Sequence, residues 1–500
     1  MMNPEALQDS YPLYSCLDSA VTYKCSENIF KELEETGYAD MYDNTIDLCD
    51  ALTYMMLIGI RIDKGRLERT KADANSTIEE LQTELNSLCG FEFNYNSTKQ
   101  CQQYFYGIKG YKPYKQRKTG AVTTDEKALA RMAAKGVREA QLITKLRKRR
   151  KLLSTYLEVS LDPDNRLRCS WRPRGTKFTR VSSAKTIFNT GLNLQNIHPE
   201  FRGFMVPDPG YVFLGWDKVQ AEWIVTAYLS QDANMLRVIN EKMDPHVGTG
   251  ALMTGLPASM IIKENKLLEK VTDPEKLHKG REEHVPEILK APFLPRTVTV
   301  RQMGKKSNHA LNYDEGYMRF AAENELEFKE AKRFHDAYHN AYLGLRGSYY
   351  PGIQHELRKN RTLKNCFGHK ITFRGRWDHA LFKSAYSFKP QSTVGGIINE
   401  GLIKIFQDRT QVIEPMQLLS QVHDEILAQY PAKNWDLVAK AVLRVRDHIN
   451  PVLMYNNREF QIDTEMKIGL NWADMRKVPI VDNVGEMADR LESAYKELPK

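Results

Sequence analysis

Asp424 and Glu425 stand side by side behind Gln421 and His423, between the short apolar runs Leu418–Leu419 and Ile426–Leu427. The runs are too short for a helix, and the pattern predicts two strands joined by a tight turn. Adjacent carboxylates beside an imidazole repel one another unless something positive fills the turn, and a divalent metal ion is the usual occupant. A solvated hairpin tip carrying its charges by chance would account for the same five residues. A further carboxylate, Asp217, ends another apolar run, Tyr211–Gly215, after which Ile224, Val225, Ala227 and Tyr228 take up helical spacing. If the two strand ends meet, Asp217 and Asp424 can share metal ions. Two ions about 3.5–4 Å apart would clamp the attacking and leaving oxygens of a phosphoryl transfer. Spacing alone leaves that meeting open.

Arg301, Lys305, His309 and Tyr313 recur every four residues, which predicts one slowly drifting stripe on a helix. Twelve residues reach about 18 Å, close to the length of a nucleoside triphosphate. Two cations at the N-terminal end suit phosphates, with the helix dipole assisting, and an aromatic ring at the far end suits a base. A basic amphipathic surface helix explains the cations but not the gradient from charge to ring.

Asp217-x-x-Gln220-x-Glu222, Arg301-x-x-x-Lys305-x-x-x-His309-x-x-x-Tyr313 and Gln421-Val422-His423-Asp424-Glu425 resemble motifs A, B and C of the family A DNA polymerases, the bacterial DNA polymerase I type. Order and spacing agree, and the likeness extends over nearly the whole chain. The resemblance implies an α/β (α+β) right-hand fold with a palm sheet, a helical thumb and helical fingers. It implies template-directed addition of dNTPs to a primer 3′ end, with two Mg2+ ions at Asp217 and Asp424 and Mn2+ able to substitute.

The same resemblance distributes roles. Lys305 lies nearest the reacting centre, Arg301 further out along the phosphates, and His246 of Asp244-Pro245-His246 reaches the triphosphate. Gln220 and His309 belong to the nucleotide site, Tyr313 stacks near the templating position, and Glu222 blocks a ribose 2′-hydroxyl. Arg180 approaches the primer terminus from the minor groove, Asn193, Gln195 and Gln391 lie near the duplex, and Gln421 and His423 touch the primer end. Glu425 has a supporting role. The chain departs from the family at His309, which stands for the usual Phe or Tyr, and at Asp314, which replaces the Gly that commonly follows the Tyr.

These residues need elements to hold them. Residues 1–45 contain Tyr14-Ser15-Cys16-Leu17-Asp18, similar to the last motif of the family's proofreading exonuclease. No earlier Asp-x-Glu pair accompanies it, so a remnant without its own proofreading site is expected. Residues 46–156 read as the thumb: long helices with apolar spacing through Ile46, Leu48, Ala51, Met55 and Ile58, a break at Gly59, a turn at Asn94–Gln100 and a basic loop from Tyr104 to Lys118. Residues 157–230 read as the first palm segment, with a strand pattern from 157 to 213, 231–382 as fingers and 383–500 as the second palm segment. Within the fingers, the charged stretch 263–292 is expected to be a tolerated surface insertion.

The formal net charge of +9, densest at Lys145–Lys151, suits a polyanionic partner held through its phosphates. Seven scattered cysteines, with no Cys-x-x-Cys and no Cys/His cluster, argue against zinc and against a disulfide scaffold. No targeting or spanning segment is evident, so a reducing cytoplasmic setting and a monomer are expected. Primer-template DNA and dNTPs are the implied partners, with a separate exonuclease or processivity factor beside them and no membrane. Two other classes share features: a single-subunit RNA polymerase has the Asp, Lys and Tyr landmarks, and a non-catalytic DNA-binding replication scaffold would keep the basic surface.

Overall fold

In the computed structural model, which describes residues 4–116, 119–271, 273–324 and 326–499, the run Tyr211–Lys218 is the strand β1. The end of the basic loop at 117–118 and position 272 of the charged stretch lie outside the described residues. β1 belongs to a five-stranded antiparallel sheet with β2 (Gln417–Val422), β3 (Glu425–Pro431), β4 (Thr464–Gly469) and β5 (Arg476–Val478), in the order β5-β4-β1-β3-β2. β1 thus lies between two strands contributed from far downstream. Its interior residues Val212, Phe213, Leu214 and Trp216 are fully buried, as are Ile426, Leu427 and Ala428 of β3. A strand apolar on both faces is stable only where both faces are covered.

Helices supply that cover and the other lobes. Helix α1 (Pro4–Thr36) leaves Tyr11, Tyr14, Leu17 and Val21 exposed, and Asp18 is exposed beside them. α2 (Ala39–Ile58) ends at Gly59, whose φ of 63° with ψ of 173° is an extended positive-φ conformation open essentially to glycine alone. α3 (Lys64–Cys89) and α4 (Arg138–Leu152) pack around Leu85, Phe93, Phe105, Leu142, Ile143 and Leu146. Between residues 157 and 210 the chain departs from the expected run of strands. It forms three short ones of two or three residues, joined by turns such as that at Thr179, where φ is 64°. Scattered turn bonds such as Thr176 to Arg180 and Thr186 to Thr190, with side-chain caps beside them, satisfy this backbone in place of a continuous ladder.

After β1 come α5 (Ala221–Ser230), α6 (Pro245–Thr254), α7 (Ala258–Leu268), α8 (Pro274–His284), α9 (Val300–Leu311) and α10 (Phe328–Ala341). α11 (His379–Gln407) then runs through the molecule. Its Ala385 and Phe388 join the core formed with Met303, Phe334 and Tyr338, whereas Ile398 and Leu402 join the core of the sheet. α12 (Trp435–Ile449) completes that second core through Val442 and Val445. Among the described residues no helix is long and apolar enough to cross a membrane.

Within the stretch 263–292, expected as a surface insertion, most charged side chains are exposed and two are buried. Arg281 of α8 and Glu264 of α7 form a buried ion pair at 2.7 Å, and Arg281 also donates to the carbonyls of Pro295 and Val298. Charges at helical spacing ordinarily face water, but these two satisfy each other inside.

Candidate active site

Register determines which carboxylates meet. β1 pairs with β3 so that Asp217 lies opposite Glu425, and on the other side Asp217 lies opposite Glu465 of β4. The β2–β3 turn consists of His423 and Asp424, with His423 at φ 56°. The backbone N–H of Lys218 donates to the carbonyl of Asp424 at 3.2 Å, which fastens the tip to the end of β1. Burial, then the charges of Asp217 and Glu222, push the Asp424 pKa up to about 7. A dehydrated carboxylate facing other carboxylates is a site short of positive charge, the donor set that hard divalent cations take.

One cation already answers part of that demand. Lys467 on β4 donates to Asp217 Oδ2 at 2.9 Å. Lys467 was not singled out from the sequence; alternation along Glu465–Gly469 gives its face, but only the β1–β4 register, with Lys467 opposite Gly215, puts it diagonal to Asp217. Lys218 is also new: its buried ammonium donates to the Ile449 and Ile462 carbonyls, Asn450 Oδ1 and Thr464 Oγ1 directly behind the carboxylates.

The hairpin is braced by amides. Gln195 Nε2 donates to the carbonyl and side chain of Gln421 at 2.7 and 3.0 Å, and Gln195 Oε1 accepts from the His423 N–H. Gln421 Nε2 in turn donates to the His423 carbonyl at 2.6 Å. Asn193 caps the short 3-10 turn that delivers Gln195, and also accepts from Ser183 Oγ. These side chains are therefore engaged in shaping the turn.

Glu222, in the first turn of α5, gathers two residues expected at separate tasks. Arg180 Nη2 lies 2.5 Å from its Oε1, and Tyr313 Oη donates to its Oε2 at 2.7 Å. Gln220 takes a left-handed φ of 52° at the entry to α5, which turns the chain sharply after β1.

The stripe on α9 departs from expectation at both ends. The helix stops at Leu311, so Tyr313 lies beyond it and is buried rather than displayed. At the N-terminus Thr299 and Gln302 form a reciprocal cap, and the Val300 N–H donates to Glu264 Oε2 at 2.8 Å. The N–H groups of Thr299, Val300 and Gln302 are thereby taken by this cap and by a carboxylate rather than offered to a phosphate. Arg301 is paired with Asp244 at 2.7 Å. Lys305 and His309 are exposed, and Lys305 forms no ion pair among the described residues.

His246 packs under this helix, its Nδ1 3.0 Å from Asn308 Nδ2, and burial followed by the charges of Arg301 and Lys305 pushes its pKa down to about 4 against the pull of Asp244. Gly304 lets α6 and α9 touch, since a Cβ there would overlap the His246 carbonyl oxygen.

A cleft of about 570 Å³ opens between α9 and α11, lined by Phe178, Lys306, His309, Tyr313, Lys383 and Gln391 among others. It brings Gln391 to the same space as His309 and Tyr313. Asp217, Asp424, Arg301 and Lys305 are not part of its lining.

The family model described as DNA polymerase family A matches residues 64–273 and 261–474. The thermostable DNA polymerase I of Thermus filiformis is 26% identical over 475 residues, covering 90% of this chain and 50% of that protein. The DNA polymerase I of Treponema pallidum is 24% identical over 453 residues, covering 87% and 41%. The chain spans about half the length of the curated relatives it matches. Among solved structures, the POL domain of Pol1 from M. smegmatis, in complex with DNA primer-template and dNTP, superposes with a TM-score of 0.70 at 21% identity, covering 89% of this chain and 73% of that one. That likeness establishes a common fold.

Proposed function

The chain belongs to DNA polymerase family A, and from that premise we propose that it extends a DNA primer by template-directed transfer of deoxynucleotides. The observation that carries the reading is the β1–β3 register, which sets Asp217 opposite Glu425 and beside Asp424, with Asp424 pushed up to about 7 by burial and by its acidic neighbours. Asp217 and Asp424 would hold two divalent ions, Mg2+ with Mn2+ as substitute, which when bound acidify the primer 3′-hydroxyl and take up charge on the departing pyrophosphate.

The residues of the chain do the rest. Lys305, exposed and unpaired among the described residues, offers its charge to the triphosphate. Arg301 joins it by leaving Asp244. Buried His246 serves as a neutral hydrogen-bonding group. Glu222 fills the space of a ribose 2′-hydroxyl, and Tyr313 meets the templating base only after releasing Glu222. His309 faces the sugar across the cleft, and Gln391 lies along the duplex. Arg180, Asn193, Gln195, Gln421 and His423 shape the wall against which the primer end rests. In this reading the five-stranded sheet and α5 are the palm, α6–α10 the fingers and α3–α4 the thumb. Tyr14 and Asp18, exposed on α1, take no part in proofreading.

Primer extension with and without Mg2+ tests the assignment. Asp217→Asn and Asp424→Asn should each reduce extension by more than about 1,000-fold, the scale of losing several kcal/mol of transition-state charge stabilisation. Primer-template binding should stay within a few-fold. Full activity in either variant overturns the metal assignment, and extension by ribonucleotides alone moves the chain to the RNA-polymerase reading.

A further inference from the structure

The end of α9 carries a feature that primer extension does not use. Asp314, directly after Tyr313, sits at φ 57°, a left-handed conformation in which a residue with a Cβ is disfavoured relative to glycine. Its carboxylate faces His335 and His339, one helical turn apart on α10 and therefore on the same side of that helix. One ligand atom from each of the three residues lies within 4.8 Å of the other two. The two rings stand 4.8 Å apart.

His339 is the informative member. It is 4% exposed, and neither ring nitrogen has a hydrogen-bond partner. A buried imidazole without partners is what a metal ligand looks like before its ion arrives. His335 is prepared differently. Its Nδ1 lies 3.1 Å from Asp336 Oδ1, and Asp336 is itself held by Lys332. Donation from Nδ1 to that carboxylate leaves the Nε2 lone pair facing inward, the carboxylate–histidine arrangement that orients metal ligands.

We propose that Asp314, His335 and His339 form a binding site for a divalent transition metal ion, Zn2+ by ligand type, separate from the nucleotidyl-transfer carboxylates. Two imidazoles and a carboxylate suit Zn2+ and leave a fourth position for water, whereas Mg2+ prefers oxygen ligands alone. Zn2+ bonds of about 2.0–2.1 Å in a tetrahedron set ligand atoms about 3.4 Å apart, so the three side chains close in modestly on binding. A cation already stands at this place. The Arg346 guanidinium lies 3.1 Å from His335 Nε2 and 3.2 Å from Asp314 Oδ1. Its side chain is 48% exposed, so it can swing into solvent as the ion enters. His379, 3.1 Å from Asp314 Oδ2 through its Nε2, holds the outer carboxylate oxygen. The ion would tie the residue after Tyr313 to α10.

Co2+ titrated into the full chain under excess Mg2+ tests this, because Mg2+ saturates the carboxylate site and leaves the imidazoles alone. One equivalent should bind with the visible absorption of a tetrahedral nitrogen/oxygen site, and Zn2+ should displace it. Asp314→Gly, which relieves the left-handed backbone while removing a ligand, and His335→Gln should each weaken binding by at least about tenfold. Arg346→Ala, a change on an exposed side chain, should tighten it by removing the competing cation. The proposal fails if no such absorption appears, if Asp314→Gly binds Co2+ as well as the parent chain, or if Arg346→Ala leaves the affinity unchanged or lower. None of these readouts depends on primer extension, so the two assignments stand or fall separately.

Discussion

Under the proposed function, Lys467 competes for Asp217 with the divalent cation of the reaction. Its ammonium occupies Oδ2, and replacing it with an uncharged side chain of similar length removes both the competitor and a nearby positive charge. Lys467→Met should therefore lower the Mg2+ concentration giving half-maximal primer extension; an unchanged or higher midpoint would show that the ammonium does not contend for that oxygen. Tyr313→Phe addresses a different bond. The ring stays and the donor to the Glu222 carboxylate goes, which should cost about 1.5–3 kcal/mol in a denaturant titration. The chemistry-bearing residue types were readable from the sequence because each motif is a local string. The bonds among them were not, since Lys467 with Asp217, and Arg180 and Tyr313 with Glu222, depend on how distant segments are placed.

Elements decide how firmly those residues are held. The Glu264–Arg281 pair roots the start of α9, because Glu264 also accepts the Val300 N–H. Glu264→Gln leaves a fully buried guanidinium without its partner and should destabilise the chain by about 3–5 kcal/mol, visible as a lower melting temperature. The stretch reads as solvated surface from sequence because alternating charges commonly are; that its two helices fold back on each other is a tertiary fact.

The other end of the molecule has a comparable joint. Asp408, at the C-terminus of α11, meets Arg444 at 2.8 Å and His448 at 2.7 Å on α12. Burial alone would raise its pKa, but hydrogen bonds from Arg444, His448 and Thr410 outweigh it and hold the carboxyl well below its ordinary range. A depressed carboxylate contributes stability that is complete above the unfolded value of about 3.9 and is lost as pH falls through the folded one. Acid unfolding followed below about pH 4 should thus be shallower in Asp408→Asn than in the parent chain. Helical periodicity made α2, α3 and α9 legible in outline. The irregular segment from 157 to 210 was not, because its backbone is satisfied by scattered turn bonds and caps such as Asn193 rather than by a repeating pattern.

Across the whole molecule, charge and connectivity matter most. Lys148, Arg149, Arg150 and Lys151 are exposed on α4, whereas Arg147 turns inward to the carbonyls of Tyr95 and Thr124. Replacing Lys148, Arg149 and Arg150 with Gln should flatten the plot of log affinity for duplex DNA against log salt by up to about 2.7, if all three meet phosphates; an unchanged slope would place that face away from the duplex. The right-hand architecture was legible through ordered motifs, but the course of α11 through two cores was not, since nothing in its sequence says which apolar residues face which lobe. The central position of β1 has a further effect during synthesis. Both of its pairing partners, β3 and β4, are encoded after it, and about two hundred residues separate it from the first. At about 5–20 residues per second, a growing chain waits about 10–40 s on the ribosome with an apolar strand open along both edges. Such edges invite association with other chains, so shielding of the nascent polypeptide bears directly on how much of this protein a cell can make.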